Sequence, residues 1–177
     1  MKAIERSGTY YRVFKPGWAD PLDASFSKRF GARWNAPGAF GALYLNQTVD
    51  VAAANARKQH LGRAIGLFDL LPSRRPCLLT VNVPRSRLLD VVTDAGIAAA
   101  GLPASYPFGV SHARCRPVGK LAYESHEFRG IAYRSAAECT ATYWVGEELA
   151  WFDVSPPLQE SAPRRAFKDW YPHPFPR

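Results

Sequence analysis

The chain of 177 residues is short of cysteine, methionine and acid: three Cys, one Met, and fifteen Asp and Glu against 23 Lys and Arg. Cys77, Cys115 and Cys139 are odd in number with no close pair, so neither a disulfide framework nor a CxxC metal site is indicated. The histidines, His60, His112, His126 and His173, are scattered at no ligand spacing from one another or from a Cys, and no metal is expected. No stretch approaches the ~20 apolar residues of a membrane-spanning helix. Met1 to Arg6 lacks the apolar core of a secretory signal, so the expectation is a cytoplasmic protein without a membrane partner.

The shortage of acid leaves a net charge of +8, which favours an anionic partner. The basic residues are spread along the chain rather than gathered in one run. A phosphate-bearing ligand is therefore expected in preference to direct contact with nucleic acid. A chain of this length can bury roughly 70% of its unfolded surface in one core, so a single folded domain needs no staples.

One segment concentrates costly residues between glycines: Gly31-Ala32-Arg33-Trp34-Asn35-Ala36-Pro37-Gly38. Glycines tolerate left-handed dihedrals and close backbone approach to a ligand, and Arg33 offers a planar fork suited to phosphate. The segment reads as an anion-binding loop, with Trp34 packing in the core and Asn35 able to hold its own turn.

Around it, Tyr10 to Phe14 reads as a strand ended by Lys15-Pro16-Gly17, with Arg12 near its centre. Ala42 to Leu45 reads as a second strand. Thr48 or Asp50 caps an alanine-rich helix through Val51 to Gln59, with Asn55 in its middle. Cys77 to Val83 is expected to be a strand stopped by Pro84, with another short strand at Leu88 to Val92. Short helices are expected over Ala95 to Ala100 and within Ser111 to Lys120, and a strand over Gly130 to Arg134 ending at Ser135. A terminal hairpin is expected to pair Ala141–Val145 with Leu149–Val154 across Gly146-Glu147-Glu148. From Ser155 the chain holds six of its fifteen prolines, so residues 155–177 are expected to form a basic, irregular tail on a domain of residues 1–154. Phe167, Trp170 and Tyr171 could anchor that tail to the body. Short strands with few helices indicate an α+β class.

The order of these motifs resembles the RES domain, the toxin of RES–Xre toxin–antitoxin modules. Tyr-Arg near the start, Gly-x-Arg-Trp-Asn with a following Pro-Gly, Leu-Tyr-Leu, an alanine-rich helix and a late Gly-Ile-Ala-x-Arg-Ser-Ala carry the likeness from about Tyr10 to Val154. The resemblance implies a single α+β domain similar to ADP-ribosyltransferase toxins, with mixed or antiparallel sheets and short helices. It implies NAD as substrate rather than a prosthetic group, cleaved at the nicotinamide–ribose bond by hydrolysis or phosphorolysis, or ADP-ribose transfer to a protein. It implies an Xre-type helix-turn-helix antitoxin as partner, with any oligomer formed through that antitoxin. Carried over by position, Arg12 and Arg33 match the arginines near the NAD, Tyr44 the aromatic residue and Ser135 the late serine. Asn35 joins these among the binding residues.

The pattern departs from the family at one point: the characteristic glutamate falls about where Asn55 stands, and no acid lies between Asp50 and Asp69. A neutral amide can bond a ribose hydroxyl but brings no charge to oppose the positive charge that develops on the ribose. Either another acid is recruited, with Asp50, Glu124, Glu127 and Glu138 as candidates, or the chain binds NAD or a partner with little turnover.

Overall fold

The computed structural model describes residues 1–172. Six strands, β1 (Ala3–Phe14), β2 (Ala42–Asn46), β3 (Cys77–Val91), β4 (Gly130–Arg134), β5 (Glu147–Phe152) and β6 (Glu160–Arg165), form one sheet. The order is β1-β2-β5-β4-β3-β6, and β1 also pairs with β3, so the ladder closes on itself while β6 extends the edge of β3. All pairings are antiparallel except β3 with β4.

Period-two alternation on the middle strands divides their side chains between two cores. Leu43, Leu45, Ala132, Leu149 and Trp151 meet Tyr10, Phe14, Leu79 and Val81 of β1 and β3. Ala42, Ile131, Tyr133, Ala150 and Phe152 point the other way, beneath the helices α3 (Asp94–Ala99) and α4 (His112–Glu124), with Trp34 fully buried among them. At Gly119 the α4 backbone lies against the loop: a Cβ there would stand 1.9 Å from the Trp34 carbonyl oxygen.

The helix α2 (Val49–Lys58) is capped as its sequence indicates, Thr48 Oγ1 accepting from the Val51 amide at 3.2 Å. Its small face of Ala52, Ala53 and Ala56 packs into a third core with Leu78 and with Phe167, Trp170 and Tyr171.

Several sequence expectations are corrected. Pro84 does not stop its strand: β3 runs through it, because Pro84 lies in the register break between the Arg6–Ser86 and Gly8–Val83 pairs, where no ladder amide is needed. β1 begins at Ala3, seven residues ahead of Tyr10, and a helix α1 (Ser25–Phe30) precedes the glycine loop. The terminal hairpin does not form. β5 lies between β2 and β4, and the segment before it holds only the isolated bridge Cys139–Trp144. Residues beyond Ser155 are not irregular throughout: β6 pairs with β3, and α5 (Phe167–Trp170) follows it. Phe167, Trp170 and Tyr171 do anchor this segment, while residues 173–177 of the expected tail lie outside the described residues.

Candidate active site

A cavity of about 390 Å³ opens where β2 and β5 meet α2, α4 and the glycine loop. Arg12 reaches it from β1, Arg33 from the loop, Tyr44 from β2 and Asn55 from α2, so four of the six sequence-derived candidates share one wall. Lys58, His112, Tyr133 and Glu148 complete its charged and titratable lining.

Arg12 is the unusual cation. It is only 8% exposed, its Nη1 reaches the Tyr44 carbonyl oxygen at a long 3.4 Å, and its buried Nε has no hydrogen-bond partner among the described residues. Burial pulls its pKa down to about 10, the more distant Asp20 and Asp23 opposing that only in part. A buried guanidinium without a carboxylate costs stability that an arriving anion restores. Arg33 is similarly free: its Nη1 contacts the Val110 carbonyl oxygen at 3.4 Å and Cys115 Sγ at 3.8 Å, and it forms no ion pair among the described residues.

The remaining two candidates lie behind the wall. Asn35 is fully buried, its Nδ2 donating to the carbonyls of Ser27 at 2.7 Å and Phe40 at 2.9 Å. Its Oδ1 accepts from the Tyr44 hydroxyl at 2.7 Å, and that hydroxyl accepts from the Trp34 amide at 3.1 Å. Tyr44 thus presents its ring to the cleft with its phenol committed, and burial raises its pKa well above the ordinary value. Ser135 is also fully buried, and its Oγ accepts from the Ala137 amide at 3.1 Å, shaping the Ala136–Ala137 turn that does line the cavity. The role of Gly31 changes as well. With φ +72° it makes room for its own loop, since a Cβ there would lie 2.7 Å from Pro37 Cδ, and it lines the cleft as well.

None of the four acids proposed to replace the glutamate lines the cleft. Asp50 is exposed in the first turn of α2, and Glu124, Glu127 and Glu138 pair with Lys120, Arg87 and Arg57 at the surface. Asn55 donates through Nδ2 to Asn46 Oδ1 at 2.8 Å. The carboxylate in the cleft is Glu148, which the hairpin reading had put in a turn. Its sequence signal was alternation: Glu148, Ala150 and Phe152 share one face of β5, and Leu149 and Trp151 the other.

The family model for the RES domain matches residues 9–171. The chain belongs to the RES domain family. Among relatives of the chain, the NAD(+) phosphorylases MbcT of Mycobacterium tuberculosis and Mycobacterium bovis are 28% identical over 123 residues. That match covers 70% of this chain and 65% of the length of those proteins. The RES fold seen here is also similar to that in the crystal structure of the M. tuberculosis MbcT–MbcA toxin-antitoxin complex, with a TM-score of 0.75 at 24% identity. That alignment covers 92% of this chain and 85% of the matched chain.

Proposed function

We propose that this RES domain degrades NAD by breaking the nicotinamide–ribose bond, with inorganic phosphate as the acceptor of the ADP-ribosyl group. The observation that carries the reading is the pair Arg12 and Arg33, two arginines without carboxylate partners facing one cleft. Bidentate guanidinium contacts suit a pyrophosphate. Tyr44 offers a ring face for the nicotinamide, and its anchored phenol keeps that face in place.

The name of the MbcT relatives supports phosphate over water or protein as acceptor. Arg12, Arg33 and Lys58 against Glu148 leave the cleft a net +2, which suits the two negative charges of the dinucleotide's pyrophosphate. In the reaction, the glycosidic C–N bond breaks with its electron pair passing to the nicotinamide nitrogen, and a phosphate oxygen bonds to C1 of the ribose. An antitoxin is the proposed partner, supported by the toxin-antitoxin complex of the structural relative, and its helix-turn-helix Xre type is proposed from the family resemblance alone.

Chromatography of NAD incubated with the protein, with and without phosphate, tests the reading. The expected products are nicotinamide and a phosphorylated ADP-ribose when phosphate is present. Nicotinamide with free ADP-ribose as the sole ADP-ribosyl product in both samples would assign water as acceptor. Intact NAD in both, with calorimetric binding of NAD, would leave a binding module instead.

A further inference from the structure

We propose that Glu148 is a catalytic residue, the carboxylate that faces the reacting ribose in place of the one missing at position 55. The inference rests on the NAD-cleaving reading above.

Three observations carry it. Among the described residues, Glu148 is the only acid lining the cleft that also holds Arg12, Arg33 and Lys58. It is fixed by register rather than by a flexible loop: in the ladder Glu148 lies directly opposite Asn46 of β2 on one side and Tyr133 of β4 on the other, so the three side chains form one row on the cleft face. The Tyr133 hydroxyl donates to Glu148 Oε2 at 2.9 Å, while Oε1 has no hydrogen-bond partner among the described residues.

The neighbouring acid sharpens the contrast. Glu147 points to the opposite face and is consumed by a bidentate pair with Arg6, at 2.9 and 3.0 Å. Among the described residues Glu148 forms no ion pair, although three cations share its cavity. Held apart by strand register, it keeps its charge for a cation that arrives with the ligand.

That cation is chemically defined. The pyridinium of bound NAD carries a positive charge that passes to C1 and the ring oxygen of the ribose as the C–N bond breaks, nicotinamide leaving neutral. Glu148 opposes that charge without forming a bond, and the phosphate oxygen remains the nucleophile. Asn55 bonds Asn46, the next member of the row, and so supports the strand face on which Glu148 stands.

The test compares the wild type, Glu148→Gln and Tyr133→Phe for kcat and KM of nicotinamide release, ADP-ribose affinity and melting temperature. The Gln amide oxygen can still accept from Tyr133, so E148Q is expected to melt with the wild type and to bind ADP-ribose no more weakly. Its kcat is expected to fall roughly 10²–10³-fold, the range for losing one well-placed electrostatic stabiliser. Y133F keeps the charge and is expected to lose less. An active wild type with E148Q turning over equally fast overturns the inference and leaves the functional reading standing. Equal losses in Y133F and E148Q also overturn it, because the loss would then follow the hydrogen bond rather than the charge. A wild type inert towards NAD overturns the functional reading, and the inference with it.

Discussion

The Tyr44 hydroxyl donates to Asn35 Oδ1 at 2.7 Å, tying the aromatic wall of the cleft to the buried pivot of the glycine loop. Asn35 spends its other two bonds on the Ser27 and Phe40 carbonyls, so one amide holds α1, the loop and β2 together. Tyr44→Phe leaves Asn35 Oδ1 and the Trp34 amide without that partner. An unsatisfied buried group costs about 1–3 kcal/mol. Thermal or urea unfolding is expected to show Y44F destabilised within that range, with the ring and its stacking face retained.

Gly119→Ala tests how closely α4 must approach the loop. The added Cβ would meet the Trp34 carbonyl carbon at 2.8 Å and its oxygen at 1.9 Å, backbone atoms that cannot swing aside. Overpacking of this kind costs typically 1–3 kcal/mol. Reduced stability in G119A, together with weaker ADP-ribose binding as Arg33 moves with Trp34, is the expected result of paired unfolding and calorimetry.

Charge in the cleft predicts how His112 titrates. Burial, then Arg33, Arg116 and Lys58, hold its pKa below the ordinary value. A group with a lowered basic pKa disfavours protonation, so the free protein keeps this imidazole neutral to lower pH than a free histidine. A bound pyrophosphate screens Arg33 and Lys58 and makes the protonated form easier to reach. NMR titration is expected to show the His112 midpoint rising when ADP-ribose is added, and ADP-ribose affinity growing as pH falls through that midpoint.

Arg12 predicts a second, alkaline dependence. Its pKa of about 10 lies below that of an unfolded arginine, so the unfolded chain holds the proton more firmly across the interval between the two. Stability contributed by this group therefore rises with pH through that interval, and the penalty of the buried charge is fully present below about pH 10. Bound ADP-ribose is expected to oppose the lowering of this pKa, since an anion beside Arg12 favours its charged form. Arg12→Lys, with its compact ammonium on a flexible stem, is expected to weaken binding even at neutral pH, because it lacks the bidentate fork.

What was legible in the sequence was what local chemistry dictates. Thr48 or Asp50 before an alanine-rich run specified α2, and the structure gives the cap to Thr48; Leu43-Tyr44-Leu45 specified β2, and the structure sets Tyr44 on the face away from its two leucines. The site was half legible. The motif residues Arg12, Arg33, Tyr44 and Asn55 converge on one cleft, while Asn35 and Ser135 lie behind it because side-chain bonds to nearby backbone bury them. Glu148 was hidden because Gly146-Glu147-Glu148 looks like a turn until β2 and β4 are known to flank it. Pro84 misled for the same reason: whether a proline ends a strand depends on whether its position faces a ladder bond or a bulge, and that is set by β1.

The most direct measurement is nicotinamide release from NAD in phosphate buffer by the purified protein beside its Arg33→Ala variant. The cleft described here predicts stoichiometric nicotinamide release by the wild type and loss of that release in R33A, with the variant still folded. NAD left intact by the wild type, or cleavage by R33A at the wild-type rate, would contradict it.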